Sequence, residues 1–200
     1  MKKILLYSFL LTLFFGVTSC DKETEDISTM TTYATIVFDE LVVIEKGESF
    51  TPSAVATEGE TEVDVVIDGS ADGNTVGVYT ISYSAVNSDG FSAASTQTVV
   101  VYDPTIIPTD VSGEIMDKGR NERTATISLV EGTTNIFYCT DFAFGGTFPM
   151  YFQMDGDNMV VIPQDFVFGV TSVDAVYFPA TREFTITVNP QGYAYAFQYQ

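Results

Sequence analysis

The sequence predicts an all-β chain built in two blocks. Three observations carry this. Nowhere after residue 20 do apolar residues recur at helical spacing for three turns. Short runs rich in Val, Ile, Thr, Tyr and Phe alternate instead with Gly, Asp, Asn and Pro, the punctuation of strands and turns. Midway, Asp103-Pro104-Thr105-Ile106-Ile107-Pro108 places two prolines that fix φ and push the residues before them into extended geometry, so it reads as a stiff linker.

In the first block, strands are expected at 33–38, 41–44, 63–67, 78–85 and 96–102. Tyr79, Ile81, Tyr83 and Ala85 alternate with Thr80, Ser82 and Ser84, giving one apolar and one wet face, and Asn87-Ser88-Asp89-Gly90 turns the chain back. The second block predicts strands at 111–116, 123–130, 135–140, 148–154, 159–162, 173–178, 183–188 and 193–199. Sequential short strands with tight turns such as Asp155-Gly156-Asp157-Asn158 favour an antiparallel meander closing into a small barrel or sandwich. Residues 21–103 carry 16 acids and 7 aromatics and residues 104–200 carry 11 and 16, so the blocks present different surfaces.

The first twenty residues set the location. Met1-Lys2-Lys3 is a positive start, residues 4–15 are an apolar run too short for a comfortable membrane span, and Val17-Thr18-Ser19-Cys20 puts small residues before a cysteine. This resembles a bacterial lipoprotein signal, and the resemblance implies that residues 1–19 are removed and Cys20 is acylated. The alternative is an ordinary secreted protein in which Cys20 is incidental. Asp21-Lys22-Glu23-Thr24-Glu25-Asp26 has nothing to bury and reads as part of an acidic tether over residues 20–31. Its lysine among acids is similar to the export signal of cell-surface lipoproteins in glycan-foraging Gram-negative bacteria, which implies an outer-membrane anchor facing the exterior. The expected folded units are then residues 32–103 and 109–200, joined by a linker at 104–108.

Charge and composition exclude several functions. The net charge is −19, and removal of residues 1–19 takes away Lys2 and Lys3 and no acid, leaving −21. Such a chain repels phosphate backbones, so nucleic acid is excluded as a partner. There is no histidine and only one cysteine besides Cys20, so a disulfide within the mature chain, the usual zinc ligand sets and Ser-His or Cys-His catalysis are all unsupported. Cys139 lies in a β-like run and reads as a small buried apolar residue. Asp68-Gly69-Ser70-Ala71-Asp72-Gly73-Asn74 spaces oxygen ligands as a calcium loop does but lacks the distal glutamate, and a plain turn has the same composition. No cofactor is expected.

Gly77-Val78-Tyr79-Thr80-Ile81-Ser82-Tyr83, then Asn87-Ser88-Asp89-Gly90, then Thr98-Val99-Val100-Val101 resemble the bacterial surface immunoglobulin-like domains. Over residues 32–102 the resemblance implies an immunoglobulin-like β-sandwich that acts as a spacer or weak binding module and is not catalytic. In the second block, Asp110-Val111-Ser112-Gly113, Asn135-Ile136-Phe137-Tyr138-Cys139-Thr140-Asp141-Phe142-Ala143-Phe144-Gly145-Gly146, Val176-Tyr177-Phe178-Pro179-Ala180-Thr181-Arg182-Glu183-Phe184-Thr185-Ile186 and Gly192-Tyr193-Ala194-Tyr195-Ala196-Phe197 resemble the C-terminal domain of surface lipoproteins from glycan-uptake loci.

Residues 141–153 are the candidate ligand contact. Aromatics crowd a glycine-rich turn there and can be left at a rim, with Asp141, Phe144, Phe148, Tyr151 and Gln153 supplying ring faces and hydrogen bonds to a sugar. An inward-facing core is the other reading of Phe148, Met150 and Phe152. The function that follows is a non-catalytic accessory glycan-binding lipoprotein. Its expected partners are the membrane, through the lipid anchor, a polysaccharide or oligosaccharide, and outer-membrane uptake proteins. A structural or protein-interaction role in a surface assembly is the alternative, and a hydrolase with an unrecognised carboxylate pair the third.

Overall fold

The computed structural model describes residues 31–143 and 147–200. The signal segment, Cys20, the tether up to residue 30, and Phe144, Gly145 and Gly146 lie outside the described residues. From Tyr33 to Gln200 the chain is one compact unit of strands, without a helix among the described residues.

Seven strands make the first body: β1 (Thr35–Val37), β2 (Leu41–Glu45), β3 (Val55–Glu58), β4 (Thr61–Val63), β5 (Val65–Asp68), β6 (Gly77–Val86) and β7 (Ser92–Tyr102). They form a three-stranded sheet, β1-β3-β4, and a four-stranded sheet, β2-β7-β6-β5, in which β2 runs parallel to β7. The alternation read from β6 is realised: Ile81, Tyr83 and Ala85 point inward, and the Tyr83 hydroxyl donates to Gln97 Oε1 at 2.8 Å while Gln97 Nε2 donates to the Asp39 carbonyl at 2.7 Å. Two expectations needed correction. No strand is expected at 55–62, yet a hairpin stands there, β3 and β4 joined through Gly59 and Glu60, held by the wholly buried Ala56 with Val63 in the same cluster and by Glu58, which accepts from the N–H and Oγ of Ser88. The single strand expected at 63–67 breaks at Asp64, where the chain changes sheets: Val63 pairs with Ala56 and Val65 with Ala85.

The second body has eight strands: β8 (Gly113–Asp117), β9 (Arg120–Leu129), β10 (Ile136–Cys139), β11 (Met150–Asp155), β12 (Asn158–Val161), β13 (Ser172–Phe178), β14 (Glu183–Asn189) and β15 (Tyr193–Tyr199). All eight were legible in the sequence. Their order, β12-β11-β10-β9-β8-β15-β14-β13, leaves the consecutive strands β12 and β13 at the two open edges, so the sheet is an antiparallel meander one ladder short of a closed barrel. Phe137, Phe142, Phe148, Phe152, Phe184 and Phe197 fill its interior, with the Phe142 ring 5.5 to 5.9 Å from those of Phe197, Phe184 and Phe152. Burying each such ring contributes about 1.5–3 kcal/mol.

The bodies meet across a third apolar layer. On β7 the half-buried alternation gives way at its C-terminal end to continuous burial: Val99 serves the sandwich core, whereas Val100 and Tyr102 pack with Ile136 of β10, Val130 just after β9 and Ile162 just after β12. The intervening segment is tied down as well. Asn135 Nδ2, wholly buried, donates to the carbonyls of Asp103 (2.6 Å) and Ile106 (3.1 Å), and Gly156 in the β11–β12 turn exchanges backbone bonds with Ile107 and Thr109 at 2.9 Å.

Candidate functional site

The apolar joint opens into a slot two residues further along the strands, at the next positions on the same face. At the joint, the facing pair on the sandwich is Val78 and Val100. The next outward-facing pair is Thr80 and Thr98, directly opposite one another on β6 and β7. On the barrel the same step leads from Ile136 to Tyr138, which lies directly opposite Tyr151 on β11. These two cross-strand pairs form the walls of a slot of ≈ 220 Å³ whose lining is completed by Val78, Pro149, Gln164 and Asp165. Where apolar side chains meet, the bodies are sealed; where hydroxyls and phenols replace them, they stand apart.

Alternation explains why the tyrosines are available. Phe137 and Cys139 point into the barrel, so Tyr138 points out; Met150 and Phe152 point in, so Tyr151 points out. Their rings are 4.8 Å apart and inclined at 51°, and both are half-buried. Burial pushes both phenol pKa values up, with smaller contributions from Cys139 beside Tyr138 and from Tyr138 beside Tyr151, so both stay neutral donors at physiological pH. Tyr151 is further fixed by Gln164, whose Oε1 accepts from its N–H at 2.9 Å and whose Nε2 donates to its carbonyl at 2.6 Å and to that of Ile162 at 3.0 Å. Gln164 therefore positions the ring and uses its donors in doing so. Threonine hydroxyls, phenols and the exposed Asp165 carboxylate are the groups that can meet a polyhydroxylated ligand, and the rings can cover its apolar face.

Of the described residues singled out in the sequence, Tyr151 lines this slot, and Asp141, Phe148 and Gln153 stand elsewhere. Phe148 is wholly buried in the barrel, stacked on Phe166 at 5.9 Å. Asp141 is buried and holds together the loop it begins: its Oδ1 accepts from the N–H groups of Ala143 and Phe148, both at 3.1 Å, and its Oδ2 lies 3.4 Å from Arg123 Nε. Arg123 also reaches Asp117 Oδ2 at 3.2 Å and lies over the Tyr195 ring. Gln153 is buried and donates to Asn135 Oδ1 at 3.4 Å, supporting the joint. Phe144 lies outside the described residues. Thr80, Thr98, Tyr138, Gln164 and Asp165 were not singled out. Tyr138 and Thr98 had a signal, since each is the polar-tipped member next to residues that must face inward, but the partner body that makes them a wall is invisible in a linear pattern.

The two acidic turns are engaged within the fold. Asp72 accepts from Asn74 N at 3.0 Å and Thr75 Oγ1 at 2.8 Å, bonds that lower its pKa in that order, and Gly73 presses so closely on the Glu48 carbonyl that a Cβ there would clash with it. Asp157 accepts from Thr109 Oγ1 at 2.6 Å.

Residues 34–101 match the model of a family described as bacterial surface protein, Ig-like domain, and this span coincides with the first body. Among solved structures, the chain is similar to a lipoprotein from Bacteroides thetaiotaomicron, with 26% identity, 82% of this chain and 98% of that chain covered, and a TM-score of 0.42. No curated protein matches.

Proposed function

We propose that this protein is a non-catalytic, lipid-anchored cell-surface protein that binds glycan in the slot between its immunoglobulin-like body and its barrel. The observation that carries the reading is the facing of two cross-strand pairs, Thr80 with Thr98 and Tyr138 with Tyr151, across a solvent-open gap. Sugar rings pair an apolar face with a rim of hydroxyls, and a slot with phenol rings on one wall and threonine hydroxyls on the other complements both. Hydrolysis of a glycosidic bond requires two carboxyls about 5–9.5 Å apart across the sugar. Among the described residues lining the slot, Asp165 is the one carboxylate, which supports binding without cleavage.

Location follows from the surface immunoglobulin-like module together with the lipoprotein-like start ending in Cys20. The anchor is taken to lie in the outer membrane with the folded part outside, alongside the outer-membrane proteins that import glycan. A protein-interaction role has one observation on its side: Val167 and Phe168 stand 42% and 60% exposed in the connection from β12 to β13.

The test is retardation of the full chain in native gels containing soluble polysaccharides. Wild type is expected to be retarded by at least one polymer and the Tyr151→Ala variant by none, with no sugar released. Release of products would support the hydrolase, and binding only to other proteins the interaction role. Cys20→Ala is expected to abolish partitioning into detergent; unchanged partitioning contradicts the anchor.

A further inference from the structure

We infer that the slot takes a single neutral sugar unit, presented at a chain end or as a branch, and discriminates against acidic and sulfated glycans. This rests on the glycan reading above and adds the class of sugar.

The first argument is charge. The chain carries a net charge of −19, and among the described residues no cation lines the slot, whereas Asp165 does. Nor is a cationic side chain held in reserve nearby among those described: Lys46 pairs with Asp103 at 3.6 Å, Lys118 with Glu183 at 2.7 Å, Arg123 lies buried between Asp117 and Asp141, and the Arg182 guanidinium sits 4.1 Å above the Tyr199 ring. A uronate or sulfate entering the slot would leave its counterions in bulk water and meet a like charge instead. A neutral sugar meets no such penalty, and the Asp165 carboxylate becomes an acceptor for its hydroxyls.

Size and shape give the second. Sites that enclose a drug-sized ligand span about 300–1,000 Å³. At ≈ 220 Å³ the slot falls below that range and suits one ring. It is also walled rather than flat: the two tyrosine rings are inclined at 51° to one another, so they cannot form a continuous platform along a polymer, and the threonine pair closes the opposite side. A unit inside the slot therefore enters end-on, with the rest of the glycan leaving through the open side.

The experiment uses the full chain in detergent and competes its retention on a soluble neutral polysaccharide with free glucose, galactose, mannose and N-acetylglucosamine, and with glucuronate and galacturonate, at low salt. At least one neutral sugar is expected to displace the protein, and its uronate counterpart to be about tenfold or more weaker, a gap that Asp165→Asn narrows. Retention that no free monosaccharide displaces, yet a long oligosaccharide does, would overturn the single-unit claim and leave glycan binding standing. Equal competition by hexose and uronate would overturn the charge claim in the same way. Absence of retention on every polymer, neutral or acidic, would overturn the glycan reading and this inference together.

Discussion

The side-chain amide of Gln164 completes the β-ladder at Tyr151, accepting from its N–H at 2.9 Å and donating to its carbonyl at 2.6 Å where no strand residue does so. The register of β11 with β12 begins one residue later, at Phe152 and Val161. Because both main-chain groups of Tyr151 point to this side, its pairing with Tyr138 on β10 is of the non-hydrogen-bonded kind, in which facing side chains approach most closely. The close tyrosine pair in the slot thus follows from strand register.

Replacing Gln164 by Ala leaves a partly buried N–H and carbonyl without their partner and is expected to destabilise the protein by about 1–3 kcal/mol in urea denaturation. The same variant should weaken retention on glycan, because Tyr151 is no longer held. Full retention alongside the loss in stability would show that the ring is positioned by packing alone.

Asp141 is expected to behave as a structural residue. Asp141→Ala leaves buried Arg123 with Asp117 alone and two loop N–H groups without their acceptor, at a cost of about 1–3 kcal/mol for each unpaired group, whereas Asp141→Asn keeps an acceptor and should cost less. If Asp141→Ala instead lost glycan retention with an unchanged melting temperature, the residue would belong to a ligand site.

Each body holds a core of its own, and we propose that residues 32–103 and 109–200 fold as separate fragments. Separation exposes Val100, Tyr102, Ile136 and Ile162, so each fragment should melt cooperatively but below the full chain. Ile162→Ala in the full chain, truncating a joint residue, is expected to cost about 2–5 kcal/mol. A fragment that never melts cooperatively would show that the bodies fold only together.

The Cys139 thiol is pushed up to about 12, chiefly by burial, against 9.0 for an ordinary thiol. A raised value means the fold favours the protonated form: this contribution to stability is complete below pH 9 and is lost as the pH rises toward 12. A thiol reagent at pH 8 should therefore leave native protein unlabelled and label it fully in denaturant; rapid native labelling would place Cys139 at the surface.

The barrel was legible strand by strand because its strands are short runs rich in Val, Ile, Phe, Tyr and Thr, and most of its turns carry Gly, Asp or Asn, the β13–β14 turn Pro179-Ala180-Thr181-Arg182 excepted. The β3–β4 hairpin was not, since Glu58, Glu60 and Glu62 make it polar and its hold on the fold comes from contacts far apart in sequence, Ala56 and Val63 in a small apolar cluster and Glu58 accepting from Ser88. In the candidate segment, composition gave aromatics but not their side of the sheet: Phe148 and Tyr151 are three residues apart, and one lies inside the barrel while the other lines the slot. The joint left one trace in the sequence, the unbroken Val99-Val100-Val101 run, which suits a strand covered on both faces. Thr80 carries no signal alone, and Thr98 only its place beside inward-facing residues, because what makes them a wall is a barrel that begins at Gly113, after β7 has ended at Tyr102.

The most direct test fills the slot without touching any core. Thr80 is exposed on its wall, so Thr80→Phe should occupy the space opposite the tyrosines while leaving the melting temperature near that of wild type. Retention on polysaccharide and melting are measured on the same sample, with Phe148→Ala as the control for a core lesion costing about 3–5 kcal/mol. Retention abolished in a Thr80→Phe protein that melts like wild type is the expected result. Retention undiminished in that protein would mean that whatever glycan the chain holds is bound somewhere other than between Thr80 and Tyr151.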